Sequence, residues 1–165
     1  MLNRNYFGHE SQLYRVEEHR LVGGRGDNMR LFEVNNGSGL AFTVCADRCA
    51  DISRLSYQGV NMSYFSVCGY GAPAFYDKEG LNFLKTFQCG FLTTCGLQSI
   101  GTPSVHNDAS YGLHGTISHI PAETVLIQLV VGLLIPQPAG VGADLVGQDN
   151  GAVGGLAELQ LEVHQ

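Results

Sequence analysis

Apolar and polar positions alternate from residue 13 onward, and the alternation is that of strands. Residues 13–22 and 29–34 read as two strands, with Gly23-Gly24 and Gly26-Asp27-Asn28 supplying turn residues between them. Asn35-Asn36-Gly37-Ser38-Gly39 is a strong hairpin signal, because Asn and Gly tolerate positive φ, and it predicts pairing of 29–34 with 40–45. A polar corner at 46–51, a strand at 52–57, a Gln58-Gly59 turn and a strand at 60–65 continue the series. No segment of this half carries a helical period. Such spacing predicts an antiparallel sandwich or barrel.

The pattern then loosens. Residues 66–80 form a long loop with two tyrosines, a phenylalanine and a proline, and such loops on β scaffolds cover ligand sites or plug one end of the sandwich. Residues 81–87 fit either a helical turn or a strand. Two short apolar runs, 91–97 and 113–120, bracket a polar loop carrying His106 and Asp108. Residues 124–135 read as a buried strand and 156–163 as a weak last one; between them, 136–155 is rich in Gly, Ala and Val. The expected organisation is an arm at 1–12, a partial β-sandwich domain at 13–135 and a Gly/Ala-rich tail at 136–165.

Charge sharpens that division. All nine Lys and Arg lie at or before Lys85, so residues 1–85 are neutral overall while 86–165 hold the whole net charge of −6. A soluble domain normally mixes both signs along its length. The negative balance excludes nucleic acid and anionic membrane as expected partners, since both reward clustered cations. The longest apolar run, 125–135, is too short to span a bilayer, which needs about 20 residues. Five scattered cysteines (45, 49, 68, 89 and 95) fit a reduced, cytoplasmic protein. Cys45-x3-Cys49 lacks a second ligand pair at zinc-finger spacing, and Gly140-Val-Gly142 lacks the strand–turn–helix context of a dinucleotide site. No cofactor is expected. Arg25-Gly26-Asp27, a chance match to an adhesion tripeptide, is a turn composition.

Several ordered motifs carry a family resemblance. They are Arg30-Leu-Phe-Glu-Val, Gly37-Ser-Gly-Leu-Ala-Phe-Thr-Val, Ala46-Asp-Arg-Cys-Ala-Asp-Ile52, Pro73-Ala-Phe-Tyr-Asp-Lys-Glu-Gly80, Gly90-Phe-Leu-Thr-Thr-Cys-Gly96 and Gly112-Leu-His-Gly-Thr-Ile-Ser-His-Ile-Pro-Ala-Glu123. Over about residues 10–123 the chain resembles the aldose 1-epimerase-like proteins of the DUF4432 group, in the galactose mutarotase superfamily, and it resembles their N-terminal part only. The resemblance implies an all-β antiparallel super-sandwich with a carbohydrate pocket on a concave face, and a chain well over 250 residues long. A truncated or frameshifted reading frame would account for the absent bases and the glycine-rich tail together. An incomplete sandwich leaves unpaired strand edges, which predicts self-association.

Mutarotation opens and recloses a cyclic hemiacetal, so a general base and a general acid must face each other across the sugar ring. His114 matches the family's Leu-His-Gly histidine and is the expected catalytic and sugar-binding residue. Arg48 would offer a planar fork to hydroxyls or an anionic substituent, with a corner salt bridge as its structural alternative. His106, Asp108 and Lys85 are weaker substrate-binding candidates. His119 follows His114 by five, so on a regular strand the two point to opposite faces. The family's late carboxylate has no match, and Glu158 and Glu162 are not substitutes for it. The resulting expectation is a carbohydrate-binding, aldose 1-epimerase-like isomerase if the site is complete. The alternatives are a non-catalytic sugar-binding module, an inactive fragment, or a cupin-type metal-dependent isomerase using His106, Asp108, His114 and His119.

Overall fold

The computed structural model of the chain describes residues 4–96, 98–130 and 156–162, the last two strands by their backbone. Five strands form one antiparallel sheet in sequence order: β1 (Arg15–Arg20), β2 (Arg30–Asn35), β3 (Leu40–Cys45), β4 (Asp51–Tyr57) and β5 (Val60–Asn61). Consecutive antiparallel pairing follows from short turns, which leave no room for a crossover. Asn36 shapes the β2–β3 turn as expected: its side-chain oxygen accepts from the Ser38 and Leu40 amides. Among the described residues every other regular element is a two-stranded antiparallel ribbon or a short 3-10 turn, so the fold is all-β. None of the described helical turns is long and apolar enough to cross a membrane.

The period of two along β2 buries both faces of the sheet. Phe32 packs with Val44, Ala46 and Ala122, with Val16 and Phe42 against them. Leu31, on the opposite face, packs with Met29 and Cys45 beneath Leu21, Tyr70 and Ala72. Each such side chain removed from water contributes about 1.5–3 kcal/mol. Between β3 and β4 the register shifts at Thr43/Val44, leaving Ser53 as the extra residue of a bulge. Its hydroxyl lies 2.9 Å from the Tyr70 hydroxyl, which fastens the 66–72 loop across the sheet.

The second half departs from the expected strands. The run expected at 60–65 divides: β5 stays on the sheet, while β6 (Tyr64–Phe65) pairs with β7 (Cys89–Gly90). Residues 82–86 settle as a 3-10 turn. Over their described residues, the expected strands at 91–97 and 113–120 are not strands but irregular backbone and one 3-10 turn (Ile117–His119), joined to their neighbours by single bridges, Ile52 to Leu92 and Gly96 to Gly115. Gly96 and Gly115 interrupt these runs and Gly90 and Gly112 immediately precede them, and apolar composition alone does not sustain a ladder across such positions. Conversely, the polar loop around His106 is a hairpin of β8 (Ser104–His106) and β9 (Ala109–Tyr111). Asn107 and Asp108 both have positive φ at its tip, as a tight two-residue turn requires. β10 (Thr124–Val130) pairs with β11 (Leu156–Glu162), meeting the expected strands at 124–135 and 156–163. The Gly/Ala-rich stretch at 136–155, and the ends of both those strands, lie outside the described residues.

Candidate functional site

Residues 112–119 act as a backbone hub. The His114 N–H donates to the Gly101 carbonyl and the His114 carbonyl accepts from the Gly96 N–H, each at 3.0 Å. The Leu113 N–H reaches the Gly80 carbonyl at 3.3 Å, and the Tyr76 hydroxyl donates to the Gly115 carbonyl at 3.1 Å. Two glycines make this convergence possible. A Cβ on Gly112 would overlap the Lys78 carbonyl, and one on Gly115 would come within 2.5 Å of the Gly96 carbonyl and 2.7 Å of that of Ser99. Loops 77–80 and 96–101 are therefore notched against the histidine segment from two sides.

His114 itself sits at φ +59°, a left-handed conformation that side-chain-bearing residues rarely adopt. Such outliers persist only where surrounding structure over-determines them, and they gather at functional sites. Its half-buried ring meets the edge of Phe83, with centroids 5.6 Å apart and planes at 70°. Phe83 also meets His119 edge-on at 5.1 Å. Both histidines thus contact one buried phenylalanine. The expectation of opposite faces assumed a strand; a turn at 114 and a 3-10 turn over Ile117–His119 replace it.

His119 is buried and held on both nitrogens, by the Thr86 hydroxyl at 2.9 Å and the Ser118 hydroxyl at 3.1 Å. Burial pushes its pKa down to about 3, and the nearby Arg48 charge adds to the effect. It is a neutral ring at physiological pH and serves the architecture of the site.

Arg48, at the β3–β4 corner, has no exposed surface. Its Nε donates to the Ser118 carbonyl at 2.5 Å and its Nη1 to the carbonyls of Thr86 (2.8 Å) and Gly71 (3.3 Å). One guanidinium therefore ties three loops to the sheet. Its expected corner partner is present as Asp51, 3.9 Å away, whereas Asp47 pairs with Arg30. Burial raises the Asp51 carboxyl to about 6, against the lowering effects of the Thr94 amide and Arg48. Burial likewise pushes the Cys45 thiol up to about 12, which removes it as a nucleophile at neutral pH. Arg48 Nη2, Asp51 Oδ2 and both side-chain amide atoms of Gln88 are buried and make no hydrogen bond within the described residues.

Beside the hub lies a cavity of about 270 Å³, floored by Gly112 and Gly115 and lined by Lys78, Gln98, Ser99, Ser110, Tyr111 and Thr116. All six residues carry side chains capable of hydrogen bonding, and none is a carboxylate. Sequence reasoning passed over these six; the signal was the Pro73–Gly80 motif, whose Lys78 is notched on Gly112. The other expected binding residues lie elsewhere. His106 and Asp108 project from the exposed β8–β9 hairpin, and exposed Lys85 faces Asp77 at 3.8 Å. Among the described residues no three His, Cys, Asp or Glu side chains converge as a metal site, so the cupin-type set of His106, Asp108, His114 and His119 is not assembled.

No curated protein matches the chain. The crystal structure of a "putative aldose 1-epimerase" from Klebsiella pneumoniae is similar, with a TM-score of 0.66 and 25% identity over 73% of this chain. The match covers 34% of that protein, so the chain spans about a third of its length. The family model of DUF4432, a domain of unknown function, matches residues 26–132. That is well over half of the sequence, and the chain belongs to the DUF4432 family.

Proposed function

We propose that this chain carries a carbohydrate site of aldose 1-epimerase-like kind, with His114 as its titratable group and a free sugar as its ligand, in the reducing setting of the cytoplasm. The observation that carries the reading is the placement of His114. A half-buried imidazole, set against Phe83, is pinned in a left-handed conformation next in sequence to Gly115, which lines a cavity rich in hydroxyl and amide groups; the ring itself is not part of that lining. Sugars are recognised by such groups, and an imidazole can pass a proton to or from a ring oxygen or anomeric hydroxyl. The likeness to the Klebsiella protein supports the same chemistry. Arg48 acts in this scheme by positioning the 116–119 segment rather than by touching sugar. Exposed apolar side chains on and beside the short ribbons, among them Val60, Met62, Tyr64, Phe91 and Leu92, support self-association as a further property.

One observation favours a second reading. Among the described residues no carboxylate lines the cavity to partner His114 in acid–base catalysis, and a sugar-binding module fits equally. Polarimetry of fresh α-D-glucose or α-D-galactose, beside binding followed by NMR, separates the two. Catalysis requires acceleration that His114→Ala lowers by about a hundredfold or more. Binding without acceleration selects the module. Absence of both rejects the carbohydrate reading altogether.

A further inference from the structure

The cavity beside His114 is uneven in charge. Five of its six side chains are neutral hydrogen-bonding groups, and the sixth is the cation of Lys78. No ion pair of Lys78 is present among the described residues, whereas nearby Lys85 faces Asp77. The acids flanking Lys78 in sequence do not line the cavity. Asp77 accepts from the Glu79 N–H at 3.0 Å and from the Asn82 side-chain amide at 2.7 Å, and its position is fixed by them. The root of Lys78 is fixed too, because its carbonyl packs into the notch left by Gly112. An exposed lysine is ordinarily a solvated surface charge. Here its backbone is held against the histidine segment, the residue lines a polar hollow, and no ion pair neutralises it among the described residues.

From this we infer that the ligand of the cavity is an anionic sugar derivative, bearing a phosphate, carboxylate or sulfonate that Lys78 Nζ receives. The inference rests on the carbohydrate reading and adds the substrate class to it. Lysine acts as a point charge with three rotatable donors, so it suits a small anionic group without demanding a bidentate geometry. The hydroxyls of Ser110 and Thr116 and the amide of Gln98 remain for the sugar hydroxyls, while the Ser99 hydroxyl donates to the Gly112 carbonyl at 3.4 Å and can still accept. Because Lys78 is exposed, the preference it confers is sensitive to ionic strength.

The test compares D-glucose, D-glucose 6-phosphate and D-glucuronate by titration calorimetry or ligand-observed NMR at low salt. At least one anionic sugar is expected to bind about tenfold or more tightly than glucose, with the two anions distinguishing phosphate from carboxylate recognition. Lys78→Gln brings that ratio to about one and Lys78→Arg retains most of it. Lys85→Gln leaves it unchanged, and 0.5 M salt compresses it in the wild type. Equal binding of neutral and anionic sugars, or an anion preference that survives Lys78→Gln, overturns the inference and leaves the carbohydrate reading standing. If no sugar binds, the carbohydrate reading itself fails and the inference falls with it.

Discussion

Tyr76 stacks on His119 with ring centroids 3.9 Å apart and planes within 15° of parallel. The contact closes one side of a box completed by Phe83, Thr86 and Ser118, and it keeps the imidazole uncharged. The consequence is a pH dependence of stability. His119 has a folded pKa of about 3 against an ordinary value of 6.5. The unfolded chain takes up this proton first, so stability falls as pH drops from about 6.5 towards 3.

Asp51 works in the opposite sense. Its folded pKa of about 6 lies above the ordinary 3.8, so between those values the native state holds a proton that the unfolded state lacks. That contribution is full below 3.8 and is lost as pH rises through 6. Thermal melts between pH 7 and pH 4 are expected to show a shallow acid slope in the wild type. Asp51→Asn steepens it, and His119→Gln flattens it. An unchanged slope in His119→Gln would exclude the buried neutral histidine as its source.

A second prediction concerns Arg48. Replacing it with Met removes the donors to Ser118, Thr86 and Gly71 and leaves Asp51 buried without a cation. Breaking a buried charge pair from one side costs about 3–5 kcal/mol. Urea denaturation should record a loss of that order, with Asp51→Asn in the same chain recovering part of it. A loss below about 1 kcal/mol would mean that the guanidinium behaves as a surface charge.

The first half of the fold was legible because its strands alternate and its turns carry their own chemistry. Asn35 to Gly39 marked the hairpin and the two strands it joins. Of the candidate site, one residue, His114, stood out in the sequence through its motif. Its surroundings did not, because the hub is made of contacts that have no sequence period: Lys78 against Gly112, Ser99 against Gly115, Phe83 between two histidines. The expected strand at 113–120 also carried a false geometry with it. Once glycines and a left-handed histidine break the pleat, a spacing of five no longer says which way His119 points. Arg48 was read as a choice between sugar fork and corner salt bridge, and its extra role as anchor of three loops depends on carbonyls that no residue letter announces.

The glycine notches give a third prediction. Gly112→Ala places a methyl group where the Lys78 carbonyl now lies, so loop 77–80 must shift. Overpacking of this kind costs about 1–3 kcal/mol. The expected signature is local. Amide chemical-shift changes should concentrate at 77–81 and 111–116, with the β2–β3 hairpin unmoved, and sugar affinity should fall more than the melting temperature implies. Shift changes spread evenly over the sheet would argue that the notch is not the point of contact.

His114 supplies the last. A left-handed conformation costs a residue with a side chain about 1–2 kcal/mol, a penalty glycine escapes. At φ +59° His114→Gly and His114→Ala remove the same imidazole and the same contact with Phe83, yet only alanine keeps the conformational penalty. His114→Gly is therefore expected to be more stable than His114→Ala by about 1 kcal/mol in chemical denaturation, while both lose sugar binding to the same extent. The comparison isolates conformational cost from chemistry, since each variant serves as the other's control for the lost ring. If alanine proves as stable as glycine, residue 114 is not held left-handed in solution. Its backbone conformation then marks no functional position.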